Sequence, residues 1–200
     1  MGDDGVVAAG EHRVHGHHGY GWSWAAGAFA FVVALLGTLT AGAAVGDWYL
    51  QNQEMGRLLT AVEASESAMG QTSVDVMAAF ERNLDAPSLV PALTDIALDG
   101  QVRVSIAGDG VAEVGILPWH RRIEDARSAY LAHNQAWQDY LARAVLDPIV
   151  FSEPQPAVDE TFLASEPLMK RAVPLPAFPA LVARVAAIYT EGAAADRQSA

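Results

Sequence analysis

Histidine supplies most of the side chains in this sequence that can do chemistry near neutral pH. Four of the six histidines cluster near the N-terminus, at His12, His15, His17 and His18. Neutral imidazole is a good ligand for zinc, nickel and copper, so this spacing suits a metal-binding tract. However, no helical period or carboxylate partner fixes the geometry of the cluster. We favour the alternative, a polar tail whose histidines add pH-dependent positive charge, and assign no metal ligand.

The remaining two histidines fall in a predicted helix over residues 118–146. His120 and Glu124 are i,i+4 neighbours and form a potential two-ligand metal pair. His133 points about 220° away around the same helix, so the three side chains cannot share one ion. As a functional group, His133 is a candidate general base or ligand. We favour a structural role, in which a buried neutral His133 is hydrogen-bonded to a Tyr hydroxyl or a carbonyl.

Other chemistry leaves no trace in the sequence. The absence of cysteine excludes disulfides, iron–sulfur clusters, thiolate zinc sites and cysteine nucleophiles. The sequence has no GxSxG elbow, HExxH, Walker loop or dinucleotide fingerprint. Its 24 acidic and 12 basic residues give a net charge of −12, which argues against a nucleic-acid partner. We therefore expect a non-enzymatic protein with no catalytic residues and no cofactor.

Residues 22–46 form a long uncharged stretch, WSWAAGAFAFVVALLGTLTAGAAVG. As a helix it is about 37 Å long, enough to cross a hydrocarbon core of about 30 Å. Aromatic residues typical of membrane interfaces lie near both of its ends, at Tyr20, Trp22, Trp24, Trp48 and Tyr49. We predict a single uncleaved transmembrane helix. The alternatives are a buried core helix and a signal peptide cleaved after Ala41-Gly42-Ala43.

The charges beside this helix predict its orientation. Arg13, the terminal amine and partly protonated histidines precede it, whereas Asp47 follows it and the next basic residue is Arg57. Because positive charge near a membrane stays cytoplasmic, we expect the N-terminus inside and the acidic C-terminal domain outside the cytoplasmic membrane. Arginine supplies all the basic residues except Lys170. Together with the abundant Ala, Gly and Val, this composition is typical of a GC-rich bacterial genome.

The predicted fold class is mainly α, with four segments along the chain. Residues 1–21 are a disordered His/Gly-rich tail, 22–46 the transmembrane helix, 47–190 a mostly helical, bundle-like extracytoplasmic domain, and 191–200 a flexible C-terminus. After residue 47, a heptad-like stripe predicts an amphipathic helix that packs on its own domain, with homodimerisation along the stripe as the alternative. The stripe residues are Met55, Val62, Met69 and Val76. We expect Gly70 to break or bend this helix and Thr72, with Asp75, to start a new one.

Residues 84–117 have the least helical pattern. Val102, Val104 and Ile106 alternate with polar residues, and a second apolar run, 111–117, follows Gly108-Asp109-Gly110. This pattern predicts one β-hairpin, with a mobile loop as the alternative.

The predicted helix over residues 118–146 begins at Pro118 and ends before Asp147-Pro148. Aromatic residues share its expected packing face: Trp119, Tyr130, His133, Trp137 and Tyr140. Beyond it, prolines separate two short helical patterns, 159–172 and 179–190, and we expect Pro167 to interrupt the first. Pro174 and Pro176 suggest an extended strap across the bundle.

We interpret the chain as a membrane-anchored, non-enzymatic accessory or scaffold protein of a bacterial membrane or envelope assembly. The expected partners are the lipid bilayer and either a membrane protein or a second copy of the chain. Small residues on the membrane helix would allow close helix packing in lipid, namely Gly27, Gly37, Gly42 and Gly46. The alternative function is a membrane-tethered small-ligand-binding or sensory module, with a pocket among the five aromatic and histidine side chains of helix 118–146.

Overall fold

Helices make up most of the computed structural model, which describes residues 20–82 and 85–198, with side chains at 28–82, 85 and 87–190. The elements are α1 (Tyr20–Glu81), α2 (Ala86–Ala112), α3 (Arg121–Leu146), a short 3₁₀ helix (Pro148–Ser152), α4 (Pro156–Ala172) and α5 (Pro179–Gln198). No strand occurs within these described ranges. Internal contacts divide the chain into two units, Met1–Val45 and Gly46–Ala200, which are described separately below.

The first unit contains an apolar part of α1. From residue 28 to residue 45 every side chain is exposed, and Phe29 is 73% and Leu39 62% exposed. The hydroxyls of Thr38 and Thr40 donate to carbonyls of the preceding turn, Leu35 O and Leu36 O. Such local bonds satisfy the hydroxyls without water, as an apolar environment requires. Among the described helices, α1 alone is long and apolar enough to cross a membrane.

The second unit is built around the later part of α1. The predicted stripe is confirmed, since Met55, Val62, Met69 and Val76 are each at most 8% exposed. Because the stripe packs inside its own chain, it is not available as a dimer face, and that alternative is wrong. Gly70 does not break the helix and no new helix starts at Thr72, because α1 continues to Glu81. The Thr72 hydroxyl donates back to Ala68 O and caps no helix.

The predicted β-hairpin is wrong, because its residues lie in α2 and the segment that follows. Val104 is fully buried, whereas Val102 and Ile106 are 60% and 67% exposed, so the apparent alternation is the period of a helix. Helix α2 begins next to Pro87, where the missing N–H costs no hydrogen bond. Its Gly108 and Gly110 lie within the helix and form no turn.

Helix α2 approaches its neighbours closely at two glycines. A Cβ at Gly100 would lie 2.6 Å from Thr72 Cγ2 of α1, and one at Gly108 would lie 2.7 Å from Asn134 Cγ of α3. Asn134 is 2% exposed and donates to Ser65 Oγ at 3.0 Å and to Val104 O at 3.1 Å. We call Ser65, Val104, Gly108 and Asn134 the Asn134 layer. It joins α1, α2 and α3 through satisfied polar groups.

The predicted helix over 118–146 is confirmed as α3, although it begins at Arg121 and not at Pro118. Asp147 ends α3 in an extended conformation and its carboxylate accepts from Ile149 N, which starts the 3₁₀ helix. The expected end before Pro148 is therefore confirmed. Helix α3 packs against α2 on one side and α4 on the other.

The proline-rich end forms two helices and a strap. Pro167 lies inside α4 and does not interrupt it, because buried Phe162, Ser165 and Met169 hold the helix on both sides of the proline. The strap between α4 and α5 crosses the start of the second unit: Trp48 Nε1 donates to Pro176 O, and Asn52 Oδ1 accepts from Phe178 N at 2.8 Å. Helix α5 buries its predicted apolar face and extends to Gln198, beyond the expected end at residue 190.

Candidate functional site

A cavity of about 560 Å³ opens between α1, α3, α4 and α5. This volume falls within the range of small-molecule sites, roughly 300–1,000 Å³. Its walls combine aromatic, apolar and acidic side chains: Glu63, Glu66, Ser67, Met69, Gly70 and Ser73 from α1, His133 and Trp137 from α3, Val158, Asp159 and Phe162 from α4, and Ala187 and Ile188 from α5.

His133 is the buried imidazole of this cavity. Its Nδ1 lies 3.2 Å from Val158 O, and because a carbonyl only accepts, Nδ1 carries the proton. Burial lowers the pKa of His133 to about 4, against the smaller opposing effect of that backbone hydrogen bond. The ring is therefore neutral at pH 7, and Nε2 presents a lone pair. The predicted buried neutral histidine bonded to a carbonyl is confirmed, and the same side chain also lines the cavity.

Glu66 faces His133 from α1. Its Oε1 accepts a 2.6 Å hydrogen bond from the Tyr130 hydroxyl and lies 3.8 Å from His133 Nε2. Burial raises the pKa of Tyr130 well above 10, and the charge of Glu66 raises it further, so the hydroxyl keeps its proton and acts as a donor. A carboxylate oxygen and an imidazole lone pair thus lie side by side in the cavity wall, and both are acceptors.

The other acidic groups of the wall differ in their surroundings. Glu63 forms a two-point ion pair with Arg184 of α5, with Oε1 2.7 Å from Nε and Oε2 2.8 Å from Nη2. This geometry is the stronger form of the arginine–carboxylate pair. Hydrogen bonding to Glu63 raises the pKa of Arg184. Asp159 of α4 is exposed and contributes a carboxylate at the same wall.

The aromatic pocket predicted on α3 is only partly present. His133 and Trp137 line the cavity, whereas Tyr130 is fully buried in the core behind Glu66. Tyr140 packs in a separate cluster, with its ring 5.6 Å from Phe151. Trp119 precedes α3, is 64% exposed and lies outside the cavity lining. In place of Trp119, Tyr130 and Tyr140, residues of α1, α4 and α5 complete the lining of the cavity.

His120 lies in a second polar cluster, between two carboxylates of α1. Its Nδ1 is 2.6 Å from Glu54 Oε2 and its Nε2 is 3.0 Å from Asp47 Oδ1. Trp119 Nε1 also donates to Asp47 Oδ1, and Leu117 N donates to Glu54 Oε1. We call Asp47, Glu54, Trp119 and His120 the His120 cluster. It ties the loop before α3 to the part of α1 that follows residue 46.

The protonation state of the His120 cluster follows from its geometry. Both ring nitrogens face carboxyl groups, and ionised carboxylates only accept, so this geometry suits a ring that carries protons on both nitrogens. Burial alone lowers the pKa of His120, but the hydrogen bonds to Glu54 and Asp47 outweigh it and raise the pKa above its usual value. Hydrogen bonds from His120 and then Trp119 lower the pKa of Asp47. The arrangement favours the imidazolium form of His120, held between the carboxyl groups of Glu54 and Asp47.

The metal sites considered from the sequence receive no support from the described residues. His120 and Glu124 are not brought together, because Glu124 pairs with Arg127 at 2.7 Å and His120 turns toward α1. Among the side chains that the structure describes, at 28–82, 85 and 87–190, no group of three or more His, Asp or Glu residues could hold a metal ion. The cluster from His12 to His18 lies outside the described residues.

Sequence reasoning missed the acidic partners of both histidines. Glu54 lies 66 residues before His120, and Glu66 lies 67 residues before His133, so no local motif connects them. A signal was nevertheless present: Glu54 precedes stripe residue Met55, and Glu66 lies one helical turn after Val62. Carboxylates beside the packing stripe of a helix indicate a polar partner elsewhere in the fold.

Taken together, the cavity offers a neutral imidazole, the acidic side chains of Glu66 and Asp159 and aromatic walls to a small molecule. Comparisons of this chain with protein-family models, with curated proteins and with solved structures found no match.

Proposed function

We propose that this protein is a membrane-tethered module that binds a small ligand and acts as a sensory or carrier domain. The observation that supports the proposal is the cavity of about 560 Å³ lined by His133, Glu66 and Trp137. Concave apolar walls with a few oriented polar groups are typical of ligand sites. The polar groups here are held in place, because Tyr130 fixes Glu66 and the Val158 carbonyl fixes His133.

The tether in this proposal is the apolar stretch of 22–46. Its described part, 28–45, is exposed around the helix, so burial within the fold provides no reason for its apolar character. A lipid environment does. We propose that the N-terminus lies on the cytoplasmic side of the membrane and that the second unit lies on the outer side.

A substitution that adds a side chain at the cavity wall tests whether the cavity binds a ligand. Gly70 lines the cavity and an added Cβ there meets no atom within 4 Å, so Gly70→Leu adds an isobutyl group at the cavity wall from an open position. Gly110→Leu is the matched control, since Gly110 is an open helical position outside the cavity lining. The full chain in mild detergent should be screened by thermal unfolding against small organic compounds.

We expect some compounds to raise the unfolding temperature of the wild type and of Gly110→Leu but not of Gly70→Leu, because a ligand stabilises the state that binds it. If every compound that shifts the wild type shifts Gly70→Leu equally, or if none shifts the wild type, the cavity is not a ligand site.

A single lysine allows a direct test of the orientation. Lys170, whose side chain is 58% exposed, and the terminal amine are the reactive amines of the chain. A membrane-impermeant amine reagent added to intact cells should label Lys170 and spare the N-terminus, and Lys170→Arg should abolish that labelling. Labelling of the N-terminus alone would reverse the proposed orientation.

A second candidate is the accessory or scaffold function, and one surface feature favours it. Leu98, Val102 and Ile106 form an i, i+4, i+8 row on α2 and are 45%, 60% and 67% exposed. Rows of exposed apolar residues are typical of contact surfaces. If this function is correct, the chain extracted in mild detergent should migrate in a larger complex, and Val102→Glu should release it. Migration as a monomer would argue against it.

A further inference from the structure

We propose that one end of the second unit lies on the phospholipid surface, with Trp119 and Leu175 among the lipid headgroups. The inference rests on the proposed tether and extends it, because it assigns lipid contacts to residues far from 22–46 in the sequence. Trp119 is 64% and Leu175 90% exposed, so the fold leaves two large apolar side chains in contact with solvent. A single exposed apolar residue is ordinary, but these two lie at the same end of the second unit.

Three segments of the second unit meet at the end that contains residue 46. Helix α1 leads away from this end, whereas the loop between α2 and α3 and the strap between α4 and α5 return to it. In the loop, Trp119 Nε1 donates to Asp47 Oδ1 at 2.8 Å. In the strap, the carbonyl of Pro176, the residue after Leu175, accepts from Trp48 Nε1. The loop and the strap are therefore both bonded to the first two residues after the apolar stretch.

The rise of an α-helix determines the depth of these contacts. Asp47 and Trp48 follow residue 46 by one and two residues, which is at most about 3 Å along the helix. Each headgroup layer of a bilayer is about 5–7 Å thick, because the hydrocarbon core takes up about 30 Å of a total of about 40–45 Å. With 22–46 across the core, Asp47 and Trp48 lie in the headgroup layer. The loop and the strap bonded to them then lie in or beside the same layer.

The exposed side chains suit this layer chemically. Asp47 accepts from the indole N–H of Trp119, so lipid can cover the exposed part of the ring without leaving a donor unpaired. Indole rings are also enriched at the interface between lipid and water. Leu175 gains from any contact that removes its apolar surface from water. Tyr49, which is 48% exposed, adds a second aromatic ring beside Trp48.

Basic residues flank both the loop and the strap. Arg121 and Arg122 begin α3 directly after the loop, and Lys170 and Arg171 lie in the last turn of α4, before the strap. All four are exposed, in a chain whose net charge is −12. Anionic lipids attract basic residues that lie near the membrane surface. Charge therefore favours the same end of the second unit as the apolar side chains.

The absence of cysteine allows a fluorescent label to be placed at one chosen position. The full chain, labelled with bimane at Leu175→Cys or at Trp119→Cys, is reconstituted in vesicles of phosphatidylcholine and phosphatidylglycerol that carry a quenching nitroxide on the headgroup. Leu146→Cys is the matched control, because Leu146 is 87% exposed but ends α3, about 39 Å from its start. The headgroup nitroxide should quench the Leu175 and Trp119 labels at least about threefold more strongly than the Leu146 label.

Two pairs of substitutions test the basic residues. Arg121→Gln with Arg122→Gln removes two charges at the proposed lipid surface, and Arg82→Gln with Arg143→Gln removes two exposed charges at the opposite end. The first pair alone should reduce quenching of the Leu175 label, and the reduction should disappear in phosphatidylcholine vesicles, which carry no net charge. Equal quenching in the two double variants would overturn the contribution of the basic residues.

A label at Leu39→Cys separates this inference from the tether. Leu39 lies in the apolar stretch and is 62% exposed, so a nitroxide on the lipid acyl chain should quench it. Quenching at Leu39 but not at Leu175 or Trp119 would overturn this inference and leave the tether intact. If lipid nitroxides do not quench the labels at Leu175 and Trp119 and aqueous iodide does not reach them, protein covers this end, and the inference is wrong. No quenching at any of these positions would overturn the tether and the inference together.

Discussion

Replacing Gly108 by alanine tests the close approach of α2 to α3. The added Cβ would lie 2.7 Å from Asn134 Cγ and 2.9 Å from Asn134 Nδ2, distances that real Cβ contacts do not allow. Gly110→Ala is the matched control, because it makes the same change two residues later in the same helix, where a Cβ meets no atom within 4 Å. We expect the two variants to change stability in opposite directions.

The magnitude follows from what Asn134 must give up. If the side chain moves, its bonds to Ser65 Oγ and Val104 O are lost, and each buried polar group left unsatisfied costs about 1–3 kcal/mol. If α2 moves instead, overpacking costs about 1–3 kcal/mol. Against this cost, alanine is about 1 kcal/mol more favourable than glycine inside a helix. Gly108→Ala should therefore destabilise the fold by about 2 kcal/mol, whereas Gly110→Ala should stabilise it by up to about 1 kcal/mol.

Urea unfolding of the full chain in mild detergent, followed by far-UV circular dichroism, measures both changes. With a slope of about 2 kcal/mol per molar urea, the two midpoints should differ by more than about 1 M. In the background of Asn134→Ala, Gly108→Ala should lose most of its cost, because the clashing atoms are gone. Equal midpoints for Gly108→Ala and Gly110→Ala would refute the contact.

Three further predictions concern the two buried histidines and Tyr130. Acidification from pH 6.5 to about 4 should lower the free energy of unfolding by roughly 3 kcal/mol, because His133 binds a proton in the unfolded chain but not in the folded chain. The variant His133→Gln should not show this loss when urea unfolding is measured at each pH. The pH dependence has the opposite sign at His120, because its pKa is raised in the folded chain. Its contribution to the free energy of unfolding is fully present below about pH 6.5 and is lost as the pH rises through the folded pKa. The urea midpoints of the wild type and of His120→Gln should therefore converge toward alkaline pH. Tyr130→Phe removes the donor to Glu66 and should cost about 1–3 kcal/mol at pH 7 by the same unfolding assay, and an unchanged midpoint would contradict the buried hydrogen bond.

The sequence predicted the helices whose packing faces consist of large side chains. The stripe from Met55 to Val76 and the face of α5 at Leu181, Val185 and Ile188 are visible because large apolar residues recur at helical spacing. The apolar character of 22–46 was also predictable, because it depends on composition alone. Whether this stretch crosses a membrane stays a prediction.

Helix α2 was mistaken for a hairpin because two of its packing positions are glycines. Its buried positions are Leu93, Ala97, Gly100, Val104, Gly108 and Val111, separated by three or four residues throughout. Reading Gly100 and Gly108 as turn residues hides this period and leaves the alternation of 102–106 as the stronger signal. In the fold, both glycines are required by close neighbours, a tertiary property that local propensity does not show.

The candidate site was less predictable than the fold for a similar reason. His133 and Trp137 were singled out on α3, but the carboxylates that complete the cavity come from α1 and α4. Only tertiary packing brings Glu66 within 4 Å of His133. A single sequence holds no record of such distant pairs.

The Asn134 layer also determines how the helices align. In a chain so rich in alanine and valine, sliding one helix along another by a turn exchanges one small apolar contact for another at little cost. The contact of a glycine with a buried polar side chain cannot be exchanged in this way, because most neighbouring positions of the helix carry a Cβ. A shift of α2 by one turn would place a Cβ against Thr72 or Asn134 and separate the Asn134 amide from Val104 O. Two glycines thus exclude misaligned pairings that the apolar residues alone would tolerate, and this protects the folding chain from near-native traps.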